Sequence, residues 1–285
     1  MAFFGFFKRK RDPLKELKEL LEGFELPSFP KAAMQVLDTL RDPKATATQI
    51  ARTIEADPGI YINVLKTINS AAFGLPREVV SMEHAVALLG RARLESLVLP
   101  LAVKDCLPKI NVPCLDLERF WLAACRRGSL ARHVAKILHP TTHVEAFSAG
   151  LLQDLAVPVI MHVKQKMYCP TLETWNVNKD TRLDELERKQ FGFDHQTIGA
   201  LMAEQWNLPD YLIRAISKHH CLENGTDPAV YLVSHIRYNQ DLYENSEIDL
   251  LVEIAQKRLG LSKETIFHVI DQSLRDAEEL VAIFQ

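Results

Sequence analysis

The chain has 285 residues, 47% of them hydrophobic and 25% charged, with a formal net charge of −3. That length allows one large domain or two small ones, and the apolar content is sufficient for a packed core. Eleven glycines and fourteen prolines exclude collagen-like or low-complexity material, and the slightly acidic balance gives nucleic-acid binding no electrostatic support.

The N-terminal segment, residues 1–13, contains Phe3, Phe4, Phe6 and Phe7 followed by Lys8-Arg9-Lys10-Arg11. The four cations of residues 1–11 against the total of −3 leave the other 274 residues at −7. Aromatic rings beside a basic cluster suit at most weak, peripheral contact with an anionic leaflet. The alternative is a tail whose phenylalanines seat in a groove of a protein. No apolar run approaches the roughly 18 residues that a membrane span requires, and no export signal is visible, so a cytoplasmic location is expected. The cysteines (Cys106, Cys114, Cys125, Cys169, Cys221) are odd in number, widely spaced and without a C-x-x-C pair. Reduced thiols are the expectation.

From Leu14 onward the apolar spacing is helical. Ala33, Val36, Leu37 and Leu40 fall at i, i+3, i+4, i+7, as do Tyr61, Val64, Leu65, Ile68 and Leu94, Leu97, Val98, Leu101. Thr46-x-x-Gln49 has the form of a capping box, Asp57-Pro58 places a cap before a proline at the first helical position, and Ser81 can cap a helix ending at Gly90. Further helices are predicted over about 118–138, 143–163, 183–190, 194–206, 209–219, 227–242, 247–259 and 262–284. Pro158 is expected to interrupt the second of these after Val157, Pro209 to separate two others, and 169–181 to be a polar loop. Strand-like alternation is absent. The fold class is all-α.

Pro108 and Pro113 bracket a short stretch that divides the chain. An N-terminal helical lobe over 14–107, a hinge at 108–117, a second lobe over 118–222 and C-terminal helices over 223–285 are expected. Val252, Ala255 and Leu259, then Ile266, Val269 and Ile270, give those last helices apolar stripes that can pack on the second lobe or on another chain.

An ordered set of short motifs runs through both lobes. Leu26-Pro27-x-x-Pro30, Asp57-Pro58, Asn69-Ser70-Ala71 with Phe73-Gly74, and Ser81-Met82-x-x-Ala85-x-x-Leu88-Leu89-Gly90 come first. Phe120-Trp121, Ala149-Gly150-Leu151-Leu152-x-Asp154, Phe191-Gly192-x-Asp194-His195-x-x-x-Gly199, Trp206-x-Leu208-Pro209 and His219-His220 follow. Read physically, these are packing and turn signatures: small residues for close helix approach and tryptophans as core anchors. The set resembles the HDOD family, the HD-related output domain of bacterial signalling proteins, and the resemblance spans about residues 20–220. It implies two helical lobes, the second related to HD phosphohydrolases.

HD phosphohydrolases hold a divalent ion with a histidine on one helix, a His-Asp pair on the next and a distant aspartate, and the ion activates water against phosphorus. Set against that pattern, the first histidine falls at Ala123, the pair at Gln153-Asp154, and the closing aspartate near Arg237. The resemblance therefore implies a degenerate pocket of Gln153, Asp154, His195, His219 and His220, with no catalytic residues, no resident metal and no cofactor. In the HD-GYP relatives, histidines at places matching His195, His219 and His220 are metal ligands, so a residual site with Asp154 stays open. His219 and His220, as neighbours, are not expected to share a helix face.

No phosphate-binding loop, dinucleotide fingerprint or nucleophile elbow is present. A helix-turn-helix over 58–68 and 82–89 would offer only Tyr61, Asn63 and Lys66 to DNA. The expected function is a non-catalytic signalling module that binds a protein partner, or a small ligand such as a nucleotide second messenger. The alternative is a metal-dependent phosphohydrolase or cyclic dinucleotide phosphodiesterase.

Overall fold

In the computed structural model the described residues are 13–70, 75, 77–110, 112–178, 181–223, 225–238 and 245–284. The Phe3–Arg11 tail, and Ala71, Phe73 and Gly74 of the fourth motif, lie outside them. The chain is built from helices, and among the described residues the one β pairing is an isolated bridge between Val112 and Leu115.

The first helices are α1 (Pro13–Leu20), α2 (Lys31–Arg41), α3 (Ala47–Glu55), α4 (Pro58–Asn69) and α5 (Met82–Cys106). Their ends follow local chemistry. Thr46 and Gln49 satisfy each other's backbone N–H groups, at 3.2 and 2.7 Å, and so start α3 with a complete capping box. Asp57 accepts from the amide of Ile60 ahead of α4, and Ser81 from that of His84 ahead of α5. Gly90, at φ 74°, breaks α5 in the left-handed region that other residues avoid. The apolar positions read from the sequence face inward: Ala33, Val36, Leu37, Leu40, Val64, Ile68, Leu94, Leu97 and Val98 are buried. Past α4, the Asn69 side chain holds Val79 at both backbone groups, at 2.8 and 2.9 Å, and so fixes the path into α5.

The later helices are α6 (Leu117–Leu138), α7 (His143–Leu152), α8 (Ala156–Val177), α9 (Leu183–Phe191), α10 (His195–Gln205), α11 (Asp210–Lys218) and α12 (Pro228–Val233). The chain ends in α13 (Asn245–Leu259) and α14 (Lys263–Phe284). Helices α6 and α7 cross closely because glycines meet there: a Cβ on Gly150 would lie 2.9 Å from the carbonyl oxygen of Arg127 and 2.9 Å from Ala131 Cβ. Trp206 donates to the carbonyl of Pro27 at 3.2 Å and packs beside Phe29, so two distant motifs touch. Helix α14 lies along α6, and the stripes Val252, Ala255 and Ile266, Val269, Ile270 are buried in one apolar cluster with Leu130, Ala131 and Val134. The C-terminal helices therefore cover their own chain.

Several local expectations are corrected. The break after α7 falls at residues 153–155, ahead of Pro158, which sits in the first turn of α8 where its missing N–H costs no hydrogen bond. Residues 169–177 are helical, in the part of α8 that follows a break at Lys164 (φ −119°, ψ 31°); Tyr168, Leu172 and Trp175 form a buried stripe there, and Pro170 is accommodated. Helix α12 stops at Val233: Ser234 and His235 turn their side chains back onto the carbonyl of Tyr231, and the chain leaves the helical path there. Cys114 and Cys169, 55 apart in sequence, are joined as a disulfide with Cα atoms 5.5 Å apart. Only the packing of the 107–116 connector on α8 creates that proximity.

The stretch Pro140–Val177 is apolar enough in composition to span a membrane, but it is bent at 153–155 and 89% of its most apolar window is buried.

Candidate functional site

Four helices converge on Asp154, which sits in the bend between α7 and α8. Arg127 of α6 places Nη1 2.7 Å from Asp154 Oδ2. The same guanidinium donates through Nε, at 3.0 Å, and Nη2, at 2.5 Å, to the carbonyl of Ile236, so it is fixed from two sides. Its side chain is buried, and so is that of Asp154. Burial alone would raise the Asp154 carboxyl; Arg127, His219 and His195 outweigh it and hold the group well below the usual carboxylate range.

The other oxygen of Asp154 faces histidines. Oδ1 lies 3.2 Å from His219 Nε2 and 3.5 Å from His195 Nε2. His195 begins α10, where Asp194 caps the helix by accepting from Thr197 at 2.8 Å. Gly199 lets α10 approach α11, since a Cβ there would lie 2.7 Å from Ile216. His195 Nε2 meets His219 Nε2 at 3.1 Å and His220 Nε2 at 3.2 Å. His219 and His220 both reach this point because α11 ends at Lys218 and the backbone turns. Their ring centroids are 4.2 Å apart, contrary to the expectation from helical geometry.

Behind His195 stands Glu187 of α9, fully buried. Its Oε2 accepts from the His195 backbone N–H at 2.8 Å and from Nδ1 at 2.6 Å, while Oε1 accepts from the Tyr168 hydroxyl. A carboxylate only accepts, so Nδ1 of His195 carries a proton. Burial pushes this imidazole down, but Glu187, Asp154 and Asp194 outweigh it and raise it to about 9. His219 donates from Nδ1 to the Ile216 carbonyl at 2.8 Å, and burial lowers its pKa. His220 is pushed well down by burial, with His219 and His195 adding to the shift.

His219 and His220 thus both meet His195 Nε2, while Asp154 Oδ1, beside His219 and His195, is buried without a hydrogen bond. The ligand nitrogens of His195, His219 and His220 lie within 4.8 Å of one another, close enough to share one ion with bonds near 2.0–2.1 Å. These three histidines can therefore hold one transition-metal ion, with Asp154 beside two of them. Of the places that the resemblance assigns to the HD ligands, Asp154 alone carries a residue of that pattern. Ala123 has no donor atom, Gln153 offers a neutral amide, and Arg237 is a cation stacked 4.7 Å over Trp175 and bonded to the carbonyls of Asn178 and Thr181. Arg127 supplies positive charge to Asp154 directly.

Of the sequence-predicted residues, Asp154, His195 and His220 line a cavity of about 130 Å³ with Arg127, Arg182 and Arg237. His219 lies behind them. Gln153 is fully buried outside the cavity, with no hydrogen-bond partner for either amide atom. Arg127, Tyr168 and Glu187 were not identified from the sequence. The one available signal was charge inside apolar helical stretches, Arg126-Arg127 in α6 above all. Ser129 and His133, four apart on α6, both bond Asp276 of α14, at 3.3 and 2.6 Å, and so fasten that helix.

The HDOD domain model matches residues 26–222. A protein of Treponema pallidum (strain Nichols) without an assigned function is 23% identical over 215 residues, 75% of this chain, and the chain spans about two fifths (41%) of that relative's length. Two solved structures share the fold. A candidate phosphohydrolase of Shewanella amazonensis SB2B is 23% identical with a TM-score of 0.70, covering 94% of this chain and 97% of that one. An HDOD domain protein of unknown function from Geobacter sulfurreducens is 21% identical with a TM-score of 0.69, covering 95% and 97%. With its ordered motifs matched over more than half its length, the chain belongs to the HDOD family.

Proposed function

We propose that this HDOD chain is a non-catalytic module of bacterial signal transduction that works in the cytoplasm by binding a protein partner. The carrying observation is the Arg127–Asp154 ion pair: the one aspartate retained from the HD pattern is already neutralised by a buried guanidinium. An aspartate so engaged contributes to the charge balance of the core and is poorly placed to position an ion and its water. The cavity beside it favours a protein partner over a nucleotide. At about 130 Å³ it is well below the roughly 300–1,000 Å³ of ordinary small-molecule sites. A larger cavity of about 600 Å³ lies along the connector between α5 and α6, lined by Lys104, Leu107, Lys109, Trp121 and Pro158. A partner segment seated there would bear on the connector, and movement about it would change affinity. Any membrane contact is weak and peripheral, through Phe3–Arg11.

Metal analysis and a phosphodiesterase assay of the full chain, with cyclic di-GMP and a generic phosphodiester as substrates, test this reading. Background turnover, unchanged by Asp154→Ala, is expected. Turnover that needs stoichiometric metal and disappears in Asp154→Ala would establish the second reading, a metal-dependent phosphohydrolase. Three histidines converging at metal-ligand spacing favour that alternative.

A further inference from the structure

We propose that Cys114 and Cys169 form a reversible, redox-responsive disulfide that couples the connector between α5 and α6 to the histidine cluster. The two cysteines are bonded in the structure, with Cα atoms 5.5 Å apart, and both side chains are half-buried, within reach of small thiols. Met161 packs its sulfur 3.7 Å from Cys114 Sγ and 3.9 Å from Cys169 Sγ. The remaining cysteines offer no competing intramolecular pair. Cys106 and Cys125 are buried, and burial pushes the Cys106 thiol up to about 12 and that of Cys125 higher still, which suppresses thiolate chemistry. Cys221 is exposed and stands alone.

The position of the bond makes its state consequential. Cys114 lies two residues before Asp116, which caps α6 by accepting from the amides of Glu118 and Arg119 at 2.9 and 3.1 Å. Helix α6 carries Arg127, the partner of Asp154. Cys169 follows Tyr168, whose hydroxyl holds Glu187 and through it His195. The bond therefore ties the start of α6 to the middle of α8, two helices whose side chains grip the cluster from different sides. Opening it releases the connector from α8 next to the residue that anchors the Glu187–His195 pair.

The chemistry is thiol–disulfide exchange with a low-molecular-weight disulfide of the glutathione class. A cysteine thiolate attacks that disulfide, forms a mixed disulfide and expels one thiolate. The second cysteine then displaces the other. The two protein thiols lose two electrons and two protons in total, and the reagent leaves as two thiols. In a reducing compartment such a pair is open until the thiol pool is oxidised, as is usual for cytosolic disulfides.

The test uses the full chain with Cys221→Ser, equilibrated over ratios of reduced to oxidised glutathione, acid-quenched, alkylated and mapped by mass spectrometry. Loss of two hydrogens on one peptide pair, Cys114 with Cys169, along a single two-electron titration curve is expected. Oxidised protein should exchange amide hydrogens more slowly at 107–116 and 183–195, and should melt about 5–8 °C higher, as expected for closing a loop of this length in a chain of this size. Cys114→Ser should abolish all three responses. Thiols that stay alkylatable in excess oxidised glutathione would overturn the proposal. So would identical exchange at 183–195 in the two states. Neither outcome bears on whether the protein is a hydrolase.

Discussion

Replacing Arg127 by methionine removes the charge beside Asp154 while keeping most of the side-chain volume. Nη1 lies 2.7 Å from the carboxylate, and the two charge centres are about 4 Å apart, so at an effective dielectric of about 20 the attraction is about 4 kcal/mol. Two further hydrogen bonds to the Ile236 carbonyl are lost, at about 1 kcal/mol each. Against that stand the relieved burial of the guanidinium and the residual attraction of Asp154 to His195. A net loss of about 3–5 kcal/mol is expected, the range for breaking one side of a buried pair. With a urea slope of about 3 kcal/mol/M, the midpoint of unfolding should fall by about 1–1.7 M, read by the fluorescence of the chain's three tryptophans. The second arm is Arg127→Met combined with Asp154→Leu. If the penalty comes from a stranded carboxylate, the double variant recovers most of the stability. A single variant within about 1 kcal/mol of wild type, or a double variant no better than the single, would refute the charge argument.

Other consequences can be checked in the same protein. The His195 imidazole, raised to about 9 from 6.5, contributes stability that is fully present below pH 6.5 and is lost as pH rises through about 9. Wild type should therefore lose up to about 3 kcal/mol relative to His195→Asn across that window, and parallel pH profiles of the two proteins would contradict the assignment. Gly150→Ala should destabilise by about 1–3 kcal/mol, because its methyl would press on the backbone carbonyl of Arg127; an unchanged melting temperature would mean that α6 and α7 are not that close. Asn69→Ala removes both side-chain bonds to Val79 and should cost about 1–2 kcal/mol, with faster amide exchange at Val79 as the local signature.

The helical class and most helix boundaries were legible in the chain itself, because they rest on interactions within a few residues. Thr46 with Gln49, Asp57 ahead of Pro58, and Ser81 cap helices where the spacing of Ile50, Ile54, Val64 and Ile68 says helices must start. The histidines and Asp154 stood out by motif, and the helical stripes of the last forty or so residues by period. What those stripes cover was not legible: α14 lies on α6 because Asp276 meets Ser129 and His133, residues far from it in sequence. The same holds at the site. Arg127 and Glu187 look like ordinary helix-surface charges until packing withdraws them from water, and only then must each find a counter-charge, Asp154 for one and His195 for the other. Two adjacent histidines converge because a helix ends between lysine and ring, and two cysteines meet because a connector folds over α8. Local periodicity encodes which face of each helix is apolar, whereas the partners of buried charges and sulfurs are set by how those faces stack, which no short stretch of sequence contains.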